Sequence, residues 1–157
     1  MCIKARTLET PIGKICLYAD ANGLCGLSFH AQREQSDASH TLDWAERELK
    51  EYFAGRRKAF SVPLSIRGTP FQQAVYRALA EIPYGETRSY GSIAEQIGKK
   101  GAARAVGMAN HRNPLPIFLP CHRVVGKRGE LTGYAGGLEV KRILLEIEDK
   151  YKAYVEV

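Results

Sequence analysis

Across Arg67-Gly68-Thr69-Pro70 the spacing of apolar residues changes from the two-residue period of strands to the three-to-four-residue period of helices. Neither one sheet nor one helical bundle absorbs both patterns. The 157-residue chain is therefore expected to be α+β, with an N-terminal α/β domain over residues 1–67 and a mainly helical C-terminal domain over 68–157. Ahead of the boundary, residues 3–7, 14–19 and 24–29 read as strands. The turn signals Thr10-Pro11-Ile12-Gly13 and Asp20-Ala21-Asn22-Gly23 separate them, which predicts a small antiparallel meander. The polar segment 31–40 reads as a loop. Leu42, Ala45, Leu49, Tyr52 and Phe53 then recur at helical spacing until Gly55, enough for one helix that covers one face of the sheet. Trp44 lies off that stripe and reads as a packing or edge residue.

Beyond the boundary, Thr69 and Pro70 suit the N-cap and first position of a helix carrying Phe71, Ala74, Val75, Ala78, Leu79 and Ile82 and closed by Pro83. Ser89 can cap a second helix over 90–97, with Tyr90, Ile93, Ala94 and Ile97 on one stripe, and Gly98-Lys99-Lys100-Gly101 breaks it. A third helix, 102–110, begins at once. The last, from Glu139 to about Tyr151, buries Val140, Ile143, Leu144 and Ile147 and carries Glu148.

The net charge is +6, and its placement says more than its size. From Gln96 to Gly129 there are seven basic residues (Lys99, Lys100, Arg104, Arg112, Arg123, Lys127, Arg128) and no acidic one. A one-sign segment of this kind points to a polyanion, nucleic acid first. Two short helices joined by a glycine-containing turn inside it fit a helix-turn-helix. The second of them is almost bare: Ala102, Ala103, Ala105, Gly107 and Ala109 leave Arg104 as the one long cation of its first two turns. A reader of major-groove base edges carries several long polar side chains, whereas a smooth helix suits close approach to a narrow groove with one inserted arginine.

Within the same basic stretch lies Leu119-Pro120-Cys121-His122-Arg123-Val124. A cysteine in an apolar run is ordinarily a buried small hydrophobe. Here His122, Arg123, Lys127 and Arg128 surround it in sequence, and positive charge favours the nucleophilic thiolate. If the run is a strand, His122 points away from Cys121 and acts through a water or from a turn. The glycines of Thr132-Gly133-Tyr134-Ala135-Gly136-Gly137 let backbone approach a ligand closely. Four cysteines without a CxxC pair argue against a disulfide framework and a sequence-evident zinc site. No apolar run approaches about 18 residues and the N-terminus has no signal-peptide pattern, so a cytosolic protein that does not enter membranes is expected.

These motifs together closely resemble the O6-alkylguanine-DNA alkyltransferases, or methylated-DNA-protein-cysteine methyltransferases. The resemblance runs in order through Thr69-Pro70-Phe71-Gln72, Ser89-Tyr90, Ala103-Arg104-Ala105-Val106-Gly107, Asn113-Pro114, Pro120-Cys121-His122-Arg123-Val124 and Gly133-Tyr134 with Gly136-Gly137-Leu138. It covers most of residues 69–148; the N-terminal part shares only Thr10-Pro11-Ile12-Gly13 and strand order. The resemblance implies a ribonuclease-H-like N-terminal sheet and a winged-helix-like C-terminal domain. It makes Cys121 the acceptor of an alkyl group from O6 of a flipped-out guanine in duplex DNA, used once, with His122 and Glu148 as a water-linked relay for the thiol proton. Tyr90 would donate a proton to the purine ring, the Ala135 backbone NH would face the purine oxygen, and Arg104 would fill the base stack. Asn113 would tie the helix-turn-helix to the active-site loop. Ala103, Tyr90 and Arg123 join Arg104 in the implied DNA contact, and Tyr134, Ala135, Gly136 and Val124 form the implied substrate pocket. No cofactor is implied, and a monomer is expected. Some family members hold zinc through cysteine and histidine ligands; Cys2, Cys25 and His30 do not reproduce that register, so no metal is expected.

Three other readings stand beside this one. An alkylated-DNA-binding protein without chemistry would lack the cysteine, and Cys121 argues against it. A helix-turn-helix regulator would need base-reading side chains that residues 102–110 do not carry. A cysteine hydrolase using Cys121 and His122 would turn over, where a transferase keeps the alkyl group.

Overall fold

The computed structural model describes residues 3–31 and 33–153. It divides into one unit of residues up to Ile66 together with Ala153, and a second of Arg67–Lys152.

In the first unit, β1 (Lys4–Thr10), β2 (Gly13–Asp20) and β3 (Gly23–Ser28) form an antiparallel sheet in that order, the predicted meander, with β1 and β2 each two residues longer than the sequence pattern marks and β3 of the predicted length but one residue earlier. Pro11 and Ile12 make the first hairpin turn, where Gly13 takes φ 102° and Thr10 Oγ1 accepts from the Ile12 amide. In the second, Asp20 Oδ1 accepts from the amides of Asn22 and Gly23. Gly23 is required for a further reason. A Cβ there would lie 2.5 Å from the Pro63 carbonyl oxygen, which accepts the Leu24 amide as the chain passes back beside β3.

Ile15, Leu17 and Ala19 of β2 are buried, as are Leu42, Ala45, Leu49 and Tyr52 of α1 (His40–Phe53), which packs on all three strands. Each of the leucines and the isoleucine withdrawn from water contributes about 1.5–3 kcal/mol, and each alanine less. Ser39 caps α1, so the helix begins before the first apolar position that marks it in sequence. The segment read as a plain loop does more: Ser36 bridges to Arg6, and the Thr7 and Asp37 amides bond to Gln35 and Ala5 carbonyls along the β1 edge. Trp44 is half-buried and donates to Ser61 Oγ.

The second unit packs α2 (Pro70–Ala80), α3 (Tyr90–Gln96) and α4 (Ala103–His111) together. Thr69 caps α2 and Ser89 caps α3, as their positions in the sequence predict, and Gln72 completes a reciprocal capping box with Thr69 that the sequence reading did not include. Gly98 and Gly101, at φ 75° and 89°, reverse the chain between α3 and α4 and complete a helix-turn-helix. Two short parallel strands, β4 (Arg88–Ser89) and β5 (Val124–Val125), join the start of α3 to the segment after Cys121. Helix α5 (Leu138–Tyr151) ends the described fold. The class is α+β, with a small antiparallel sheet and covering helix followed by a mainly helical unit.

Candidate active site and DNA interface

Cys121 does not stand on a strand. Residues Cys121–Arg123 form a single 3-10 turn, set by the Cys121 amide bonding to the Leu119 carbonyl and the Arg123 amide to the Pro120 carbonyl. The expectation of opposite-facing neighbours is thus replaced: a tight turn puts Cys121, His122 and Arg123 all into the interior.

Two asparagines hold this turn against α4. Asn110 Nδ2 donates to the Cys121 carbonyl at 3.3 Å. Asn113 accepts the Leu115 amide on Oδ1 and donates from Nδ2 to the Leu119 carbonyl, both at 2.9 Å, so one side chain clamps both ends of the 115–119 loop. That loop contains Ile117 at φ 75°, a strained conformation for a β-branched residue that persists only where its surroundings fix it. Asn113 is the side chain that fixes them.

The thiol itself is 2% exposed. Burial pushes it up to about 11, against the opposing influence of the Asn113 side chain, Lys141 and the Tyr134 hydroxyl. The cations proposed from sequence neighbourhood are elsewhere. Lys127 and Arg128 are exposed on the following turn. The cation that acts on Cys121 is Lys141, which the sequence reading passed over; it is fully enclosed, and its Nζ donates to the Val124 and Thr132 carbonyls at 2.7 and 3.0 Å. Burial lowers the Lys141 amine while Cys121 raises it.

His122 is fully buried, with Nε2 2.6 Å from Glu148 Oε2. Glu148 Oε2 has no proton to give while ionised, so Nε2 carries the hydrogen and Nδ1 is the basic nitrogen. Nδ1 has no protein partner. Burial lowers the imidazole below its usual value, with Glu148 opposing, so at neutral pH His122 is uncharged and able to accept a proton. Burial alone would raise the Glu148 carboxyl, but His122 and the Arg123 guanidinium outweigh it and keep it ionised. Arg123 is the permanent partner of the two.

Arg123 thereby requires a correction. Assigned to DNA contact from the sequence, it is buried, with Nε and Nη2 on Glu148 at 2.7 and 3.0 Å, Nη1 on the Ile82 carbonyl at 2.7 Å and its plane 5.6 Å from the Tyr84 ring centre. Buried and bonded in this way, its place is in the network behind His122.

On the opposite side of the turn, Tyr134 is buried with its hydroxyl interacting with Cys121, while Ala135 is exposed and Gly136 half-buried. Val124 is wholly enclosed; its side chain belongs to the core and its carbonyl to Lys141. Tyr90, first residue of α3, has its hydroxyl 2.6 Å from Thr132 Oγ1 at the start of the glycine loop, and its ring lies beside Gly107 of α4. Arg104 is exposed on α4, and Ala103 beside it is half-buried. Cys2, one of the cysteines weighed for zinc, lies outside the described residues.

Fold and site together define a DNA-binding protein in which a buried cysteine, on a turn held against a helix-turn-helix, lies beside a histidine–carboxylate pair. Two family models divide the chain between them: "6-O-methylguanine DNA methyltransferase, ribonuclease-like domain" matches residues 3–66, and "6-O-methylguanine DNA methyltransferase, DNA binding domain" matches residues 70–150. The chain is 50% identical over 154 residues to the constitutive methylated-DNA–protein-cysteine methyltransferase of Bacillus subtilis (strain 168), covering 90% of this chain and 93% of that protein. The crystal structure of the Mycobacterium tuberculosis O6-methylguanine methyltransferase is similar at TM-score 0.88 and 46% identity over 98% of this chain and 97% of that one. The same organism's OGT, solved in complex with DNA, is similar at TM-score 0.84 and 47% identity over 94% of each chain. The chain belongs to the 6-O-methylguanine DNA methyltransferase family.

Proposed function

We propose that the protein, as a monomer, repairs duplex DNA by taking the alkyl group from O6 of a flipped-out guanine onto Cys121, once per molecule. The observation that carries this reading is the buried His122, hydrogen-bonded to Glu148 on Nε2 and without a protein partner on Nδ1, in the turn that holds the Cys121 thiol. A thiol at about 11 is ionised in roughly one molecule in 10⁴ at pH 7, so the resting cysteine is inert and a base is needed. His122 supplies it through a bridging water, and Glu148, kept ionised by Arg123, stabilises the imidazolium.

In the transfer, Sγ attacks the alkyl carbon, the carbon–O6 bond breaks, and the electron pair goes to the purine. The thiol proton passes toward His122, while the purine ring gains one from the Tyr90 hydroxyl; the proton held by His122 then returns through water to the tyrosinate, so the net products are a thioether and an unmodified guanine. Lys141 and the Tyr134 hydroxyl stabilise the thiolate as it forms. With Cys121 2% exposed, the base reaches it only once the pocket has opened, and the Ala135 amide then faces the purine oxygen. A base inside the stack is out of reach of this pocket, so it must rotate out, and Arg104 takes its place in the stack. The described cysteines Cys16 and Cys121 are free thiols, which fits the reducing cytosol.

Mass spectrometry after incubation with duplex DNA containing O6-methylguanine tests this reading. The expected result is one methyl group per chain, on Cys121, with repair stopping at one equivalent. Repair of many equivalents, or an adduct on another residue, would overturn it.

A further inference from the structure

Helix α4 turns Val106, Ala109 and Asn110 inward and leaves Arg104, Ala105, Met108, His111 and, at its C-cap, Arg112 exposed. On a helix otherwise smoothed by alanine and glycine, Met108 stands out. It is 61% exposed and adds nothing to the core. Arg104 and Arg112, four residues to either side, fall on the same ridge, so a thioether is set between two exposed guanidinium groups. A scattered surface methionine would call for no account. One placed midway along the cationic ridge of the helix that approaches DNA faces the one surface that combines phosphates with an apolar strip of sugar edges.

We propose that Met108 is a second groove-contacting residue of α4, laying its flexible side chain on deoxyribose and base edges of the minor groove one helical turn from Arg104. This rests on the reading of α4 as the groove-facing helix. Four residues of helix advance about 6 Å, which corresponds to about two base steps. Minor-groove proteins use Met and other apolar side chains in this way, next to arginine. A preference follows from the groove floor. An A·T pair presents only acceptors there, whereas a G·C pair adds the guanine 2-amino group, a donor that an apolar cover would strip of water without replacing its hydrogen bond. Repair should thus be faster where A·T pairs lie two steps from the lesion.

Single-turnover transfer is measured for the wild type, Met108→Ala and Met108→Gln on duplexes carrying A·T or G·C two steps to either side of O6-methylguanine, and on the free methylated base. The exposed position makes loss of folding a minor concern, and the melting temperature checks it. The expected result is a wild-type advantage on A·T duplexes. In both variants the duplex rate, relative to the free-base rate, falls about four- to tenfold, the weight of one or two methylene groups taken out of water, and the context difference narrows. Unchanged duplex rates with an unchanged context ratio would overturn the proposal, as would an equal loss on duplex and free base. Arg104→Ala run alongside separates the two levels. If it slows duplex repair while the Met108 variants do not, only the methionine contact fails; if it is also silent, the groove-facing reading of α4 fails with it.

Discussion

Replacing Glu148 by Gln keeps the shape of the side chain and removes its charge, and the structure says what that charge supports. The carboxylate accepts from His122 Nε2 at 2.6 Å, from Arg123 Nε and Nη2 at 2.7 and 3.0 Å, and from the Gly85 amide at 3.3 Å. Two losses follow, and they are separable. Arg123, 6% exposed, keeps its charge but loses its counter-ion; the Ile82 carbonyl and the Tyr84 ring that remain carry none. Leaving one member of a buried pair charged costs about 3–5 kcal/mol, which a denaturant melt will read. His122 can still donate to an amide oxygen, but the imidazolium formed on taking the thiol proton has lost its stabilising neighbour, so transfer should slow by about 10²–10⁴-fold.

Rapid-quench, single-turnover transfer on methylated duplex, at a temperature where the variant is folded, reads the second loss. Glu48→Gln is the control. Glu48 is equally enclosed, accepts from the Ser61 amide and hydroxyl and the Val62 amide, and pairs with Arg57 at 3.0 Å, all within the first unit. Its loss should destabilise the protein and leave the transfer rate alone. A folded Glu148→Gln protein with an unchanged rate would refute base catalysis through His122, and a matching rate loss in Glu48→Gln would show that rate simply follows stability.

Three further outcomes are expected. Lys141→Met removes the buried cation near the thiol and leaves two carbonyls unmatched, so transfer should slow by about tenfold and reach its plateau at higher pH; an unaltered pH–rate profile would exclude a role in thiolate formation. Stability should fall in two acid steps: His122, lowered from 6.5, favours the folded state above that value and loses its contribution below it, and Glu148, lowered from 4.5, loses its own as pH drops further below 4.5, so the lower step should be absent from the melts of Glu148→Gln. Arg104→Ala should slow duplex repair far more than reaction with the free methylated base, and duplex binding should weaken log-linearly as salt rises; equal losses on both substrates would mark Arg104 as a support of the pocket.

The elements that the sequence disclosed are those whose burial is apolar and periodic. The three strands, the helix beginning near Leu42, the Thr69 cap and the Ser89 cap all announce themselves through local rules that tertiary packing leaves intact. What stayed hidden is charge at buried positions. On α5 the most enclosed residues are Lys141, Leu144 and Glu148, three and four apart, and on α1 Glu48 sits among Ala45, Leu49 and Tyr52. A stripe search that counts only apolar residues steps over Lys141 and Glu48. The usable signal is the interruption itself, since a charged residue at core spacing is tolerated only with partners. Glu148 was singled out through the family resemblance and its place near Leu144. Lys141 was missed because its acceptors are the carbonyls of Val124 and Thr132, which no side-chain pattern reveals. Arg123 was misplaced for the converse reason: in a basic segment it reads as a surface cation, and only the fold brings Ile82 and Glu148 around it.

Local charge and local structure would both have suggested a cysteine that rests as a thiolate, and the opposite arrangement suits a protein used once. Thiolates are the form attacked by oxidants and stray alkylating agents. A molecule whose acceptor cysteine cannot be regenerated loses its function in one such event. Enclosing Cys121 at 2% exposure and about 11 keeps it protonated and unreactive, and Lys141 and Tyr134, already in position, do not by themselves overcome the burial. Under the proposed function, activation depends on His122 taking the proton, a step that would gain its driving force when the flipped base and the Tyr90 hydroxyl supply the other half of the proton exchange. On this account the reactivity of the thiol is tied to occupancy of the pocket, and the same burial that raises the barrier at rest becomes, once the base displaces water, the medium in which the imidazolium, carboxylate and thiolate interact most strongly.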